Sequence, residues 1–181
     1  NCILQHALLI ALKEYKNGDE GSWAKRETNW NVVCNTGMSF GALAISEDYP
    51  DLAKEIIDNA VKYIPNCLKH FQPDGVCYEG PSYWEYTTMH LAMFLKLLND
   101  NFKTDYGLGE LPGISKTARY YVNTVSPSDQ VFNFADSPED YPVYKSPVFF
   151  FYSKYYNQPE VASWYRALIQ KHVINKKENP K

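Results

Sequence analysis

Residues 83–99, YWEYTTMHLAMFLKLLN, are apolar on nearly every face of a helix. A helix of that kind needs other elements packed around it, so it commits the chain to a multi-helix core. The flanking sequence keeps the same rhythm. Ile3, Ala7, Leu8, Ala11 and Leu12 form one stripe over residues 2–16, which Asn17-Gly18 ends. Residues 30–47 carry Gly37, Ser39, Gly41, Ala42 and Ala44, small enough for close helix contact. Pro50-Asp51 opens a third helix bearing Leu52, Ile56, Ala60, Tyr63 and Ile64, with a break predicted at Pro65. A shorter helix is predicted near 112–123, and two closing helices over 147–157 and 159–172. Between them, residues 124–145 lose the helical period and read as an irregular loop or a short extended piece. The fold class is therefore all-α, a single helical domain over 1–181 with about six to seven helices. Helix starts near 30, 83 and 147 each follow a loop rich in polar and turn residues, a pattern of helical hairpins. Bundle, solenoid and ring arrangements remain open on periodicity alone.

Charge and composition exclude several classes of function. Eighteen Lys and Arg against 21 Asp and Glu leave a net charge of -3. That balance lacks the concentrated basic face that nucleic acid or an anionic membrane surface requires. No apolar run reaches the roughly 20 residues of a membrane span. The cysteines (Cys2, Cys34, Cys67, Cys77) form no CxxC pair, and the four histidines form no HExxH pair, so no metal is expected. Aromatic residues are abundant, with 15 Tyr, 9 Phe and 4 Trp. Such rings suit a surface that stacks on sugars. Asn1 runs straight into an apolar-periodic stretch without a start Met or an N-cap. The sequence reads as a piece of a longer protein.

Two strings narrow the reading. NWNVVCNTG (29–37) and PDGVCYEGPSYWEY (73–86) together resemble the heparinase II/III-like polysaccharide lyases, and FNFADS, with Asn133 and Asp136, resembles a third element of that family. The resemblance runs from about 23 to about 165 and implies an incomplete (α/α) toroid, normally followed by a β-sandwich domain that this sequence lacks. It implies β-elimination on a uronic-acid-containing polysaccharide or oligosaccharide, no cofactor, and a periplasmic or secreted location. In such chemistry the substrate carboxylate is neutralised by Asn, Gln, protonated Glu or His. A base then removes the C5 proton and an acid protonates the departing O4.

Carried over by position, Tyr86 matches the catalytic tyrosine, with Tyr83 the alternative one turn away. Asn31 and Asn35 match the carboxylate-neutralising region and share a helix face. Trp30 and Trp84 are candidate sugar platforms, and Glu79 a candidate for substrate hydroxyls or the helix start. His90, one turn beyond Tyr86, is read as a satisfied core histidine. Where the family commonly carries a histidine, this chain has Asn35-Thr36-Gly37, and a further family histidine comes from the sandwich. The piece alone is therefore expected to be inactive. Two alternatives stand. One is a glycoside hydrolase on a related toroid, drawing its two carboxylates from Asp74, Glu79, Glu85 and Asp136. The other is a non-catalytic glycan-binding module.

Overall fold

Prolines set the starts of four of the described helices. Pro50 and Pro159 occupy the first turn of α3 (Pro50–Tyr63) and α8 (Pro159–Ile169), and Pro81 opens α5 (Pro81–Phe102). Each loses nothing there, because the first-turn N–H has no intrahelical partner. Pro65 ends α3 as predicted and starts the short α4 (Pro65–Leu68). The remaining helices are α1 (Leu9–Asn17), α2 (Asn29–Leu43), α6 (Thr117–Val122) and α7 (Val148–Tyr155). Wider π turns, Leu4–Leu8 and Gln170–Ile174, adjoin α1 and α8. This computed structural model describes residues 2–19, 21–138 and 140–174; Asn1 and the last residues of the domain read over 1–181 lie outside it. Among the described residues there is no strand, only one antiparallel bridge between Val125 and Val131. The protein is all-α.

The chain forms two compact units. The first comprises the described residues of Asn1–His70 and Met93–Leu111. Leu4, Leu8, Ala11 and Tyr15 recur at helical spacing and are buried with Ala42, Ile45, Ala53 and Ile56. Burying each large aliphatic group contributes about 1.5–3 kcal/mol. Asp51 in the first turn of α3 and Lys62 in its last turn complement the helix dipole. Of the small residues of α2, Ser39 and Ala42 are buried and Gly41 borders Ile3 and Leu8, whereas Gly37 faces open space.

The second unit comprises the described residues of Phe71–Ala92 and Pro112–Lys181. Its core is aromatic. Trp84 packs on Tyr121 and Phe149 with ring centroids 4.3 and 5.3 Å apart, and Phe149 packs on Tyr165 at 5.0 Å. Two of the buried phenols find acceptors within the unit: Tyr152 donates to the Thr88 carbonyl at 2.9 Å, and Tyr165 to the Tyr144 carbonyl at 3.0 Å.

Candidate functional site

The two glycines of the 73–81 segment fix how α5 begins. Gly75 and Gly80 both have φ near +90°, a conformation that side-chain-bearing residues rarely adopt. A methyl group at Gly80 would collide with the Phe134 carbonyl and come within 2.9 Å of Ser137 Cβ. The bare backbone thus lets the 133–137 loop lie against the helix start. Ser137 then accepts a 3.1 Å hydrogen bond from the Ser82 N–H, satisfying one of the orphan donors of the first turn.

Trp84 sets the rotation of α5. It is fully buried, and its indole N–H donates to the Thr117 hydroxyl at 2.6 Å. At 3.6 residues per turn, Tyr83, Tyr86 and His90 then fall on the opposite face. Tyr86 is 47% exposed and Tyr83 36%. That face is open, which corrects the expectation of a helix buried all round.

Ser82, Tyr83, Glu85, Tyr86, Met89 and His90 of α5, with Asp136 and Tyr141 from the loop, line an open depression of about 560 Å³. Its described lining contains two carboxylates and no lysine or arginine. His90 donates from Nδ1 to the Tyr86 carbonyl at 2.7 Å. A carbonyl only accepts, so Nδ1 carries the hydrogen and Nε2 is the acceptor nitrogen of the neutral ring. The imidazole also packs edge-on against the Tyr86 ring, with centroids 4.8 Å apart. His90 is therefore part of the depression's lining and not a core histidine. Glu85 reaches inward from the same helix. Burial raises its carboxyl above the ordinary range, and the Ser146 hydroxyl opposes that shift. Its charge in turn adds to the burial that holds the Tyr165 phenol near 12.

Asn31 and Asn35 do not meet a substrate in this arrangement. Both have 0% exposure, within the first unit. Asn31 donates to the carbonyls of Ala24 and Tyr63 at 3.0 and 3.1 Å. Asn35 donates to those of Ala24 and Asn31 at 3.2 and 2.8 Å, and its oxygen accepts from the Tyr15 hydroxyl at 2.7 Å. They tie the 24–28 turn and the end of α3 to α2. Trp84 is likewise a core residue and not a platform. Trp30 is 58% exposed in the first unit. Glu79 is half-buried ahead of Gly80, and Asp74 is exposed. Asn133 is exposed beside a separate shallow depression formed by residues 123–133.

The sequence reading missed Ser82, Met89 and Tyr141. Ser82 and Met89 share the helical face of Tyr86, a signal present in the spacing; Tyr141 sits in an irregular loop and carried none. Among the described residues, no group of three or more His, Cys, Asp or Glu gathers to hold a metal ion. No described helix is long and apolar enough to cross a membrane. The chain matches no protein-family model and no curated protein.

Proposed function

We propose that this chain belongs to the helical part of a heparinase II/III-like polysaccharide lyase, cleaving a uronic-acid-containing glycan by β-elimination. The observation that carries the reading is the half-exposed Tyr86 phenol in a depression flanked by Tyr83 and Tyr141. Tyr86 protonates the departing O4. Tyr83 and Tyr141 offer ring faces to the sugars. Asp136 accepts hydrogen bonds from sugar hydroxyls. Glu85 takes the neutralising role first expected of Asn31 and Asn35, because burial favours the protonated form, which donates to a substrate carboxylate. The hairpins α2 with α3 and α7 with α8 supply pieces of an incomplete (α/α) toroid, and a secreted or periplasmic location follows from the substrate.

The test uses the full-length native protein on uronic-acid polymers, following the ultraviolet absorbance of the C4=C5 enoate. Turnover that falls about 10²-fold or more in Tyr86→Phe supports the proposal. Absence of unsaturated product from every uronic-acid polymer tried overturns it.

A hydrolase is the second reading, favoured by one observation: Glu85 and Asp136 line the same depression, and burial raises the Glu85 carboxyl. Two carboxyl groups on one site, one of them raised by burial to serve as the acid, are what glycosidases use. New reducing ends without enoate absorbance, abolished in Asp136→Asn, would select it.

A further inference from the structure

Residues 123–133 fold into a turn of their own within the second unit. The Ser126 N–H donates to the Gln130 carbonyl at 2.8 Å and the Phe132 N–H to the Thr124 carbonyl at 2.7 Å, on either side of the Val125–Val131 bridge. Asp129, near the tip, has a left-handed backbone with φ of 64° and is paired with Lys171 and His172 at 2.5 and 2.7 Å. The turn is tied along its length and held at its tip, which makes it a rigid mount for the side chains it carries.

Beside it lies an open depression of about 510 Å³ that shares no lining residue with the one at Tyr86. Asn123, Ser126, Ser128, Gln130 and Asn133 line it with hydroxyls and amides, Phe132 adds a ring, and no charged residue is among the described lining. The Ser126 and Ser128 hydroxyls are 2.8 Å apart, and Ser128 donates to the Gln130 side-chain oxygen at 3.3 Å. Asn123 donates its amide to the Arg119 carbonyl at 3.0 Å. The Gln130 NH2 and the Asn123 side-chain oxygen are left as a donor and an acceptor on exposed residues. Phe132 is 73% exposed, the most open large apolar side chain among the described residues, so its ring adds little to the core.

We propose that this depression is a second carbohydrate site, one that takes a neutral pyranose residue. An open aromatic ring suits the apolar face of a pyranose. Uncharged donors and acceptors suit its hydroxyls, and a site of this kind rejects a ligand that lacks them, because its own polar groups then go unpaired. The described lining offers no counter-charge to a uronate, a sulfate or a phosphate. The site thus reads a different sugar from the uronate assigned to the Tyr86 depression, and it does not depend on the lyase reading.

Isothermal titration of the full-length native protein with cellohexaose and with mannohexaose tests the site, with a galacturonate hexamer as the charged comparison. At least one neutral hexasaccharide is expected to bind, and Phe132→Ala to weaken that binding about 10-fold. Gln130→Ala and Asn133→Ala are each expected to weaken it about 3- to 10-fold. Phe132→Tyr keeps the ring and is expected to keep the affinity, which separates loss of the platform from loss of the fold. Failure of both neutral hexasaccharides to bind overturns the inference, as does neutral-sugar affinity in Phe132→Ala equal to that of wild type. A loss of galacturonate binding in Phe132→Ala as large as the loss for the neutral sugars overturns it too. Neutral-sugar binding without unsaturated product from any uronic-acid polymer removes the lyase reading and leaves this site standing; the reverse result removes this site alone.

Discussion

The indole N–H of Trp84 is hydrogen-bonded to the Thr117 hydroxyl at 2.6 Å, and that hydroxyl donates onward to the Gly75 carbonyl at 2.8 Å. One threonine thus joins the first turn of α5, the start of α6 and the loop before α5. With Trp84 held inward, Tyr86 has to face outward. A residue first suited to stacking on sugar instead orients the residue two positions away.

Thr117→Val keeps the shape and removes both bonds, leaving a buried indole N–H and a buried carbonyl without partners. Each such group costs about 1–3 kcal/mol, so a loss of about 2–4 kcal/mol is expected in denaturant unfolding. Thr117→Ser is expected to retain most of the stability. A Thr117→Val protein as stable as wild type would show that the bridge does not hold α5.

Tyr15 and Asn35 make the corresponding brace in the first unit. Burial pushes the Tyr15 phenol far above its ordinary pKa, so it remains a donor throughout the accessible pH range. Tyr15→Phe strands the Asn35 oxygen and is expected to cost about 1–3 kcal/mol. Asn35→Ala leaves the buried Tyr15 hydroxyl without its acceptor and removes one donor each from the Ala24 and Asn31 carbonyls, and is expected to cost more. Because both residues are sealed, turnover per folded molecule is expected to be unchanged in Tyr15→Phe. A specific loss of kcat without loss of stability would return Asn35 to the reaction.

Gly80→Ala tests the seam between the loop and α5. The left-handed backbone alone costs about 1–2 kcal/mol with a side chain, and the collision with the Phe134 carbonyl adds to it. Relief requires the 133–137 segment to move, taking Asp136 with it. The expected outcome is a lower melting temperature together with weaker glycan binding; Gly75→Ala, which meets the backbone of Lys116 and Thr117, is expected to lose stability by a different contact. Unchanged binding in Gly80→Ala would mean that Asp136 does not contribute to the site.

Helix positions were legible because their punctuation is local. Pro50, Pro65 and Pro159 act through their own missing N–H, and the 53, 56, 57, 60 burial of α3 follows a period visible in the string. Which face of a helix meets solvent was not legible. Asn31 and Asn35 share a face at spacing four, yet their fate depends on carbonyls of Ala24 and Tyr63, the latter 32 residues away. Tyr86 and Trp84 are two residues apart in one apolar string, and only Thr117 and the rings of Tyr121 and Phe149 decide between them. The loop residues Asp136 and Tyr141 reach the depression through Gly80 and Ser137, contacts that no periodicity encodes.

Glu85 gives the site a pH signature of known sign. Its folded-state pKa lies above the unfolded value because burial disfavours the carboxylate, so between the two values the folded chain binds more protons than the unfolded one. Its contribution to stability is complete below the ordinary carboxylate pKa of about 4.3 and is lost as pH rises through the raised value. Asp129, paired with Lys171 and His172, has a lowered pKa and acts in the opposite direction, so the wild-type curve alone mixes the two. The difference between Glu85→Gln and wild type isolates the first. Measured by denaturant unfolding from about pH 4 to 8, the variant is expected to gain stability relative to wild type as pH rises. Glutamine also keeps a permanent donor toward the depression. Under the lyase reading it is expected to retain turnover to higher pH, whereas Glu85→Ala loses turnover throughout. A stability difference that is flat or falls with pH would place Glu85 in a solvated setting and remove it from the neutralising role.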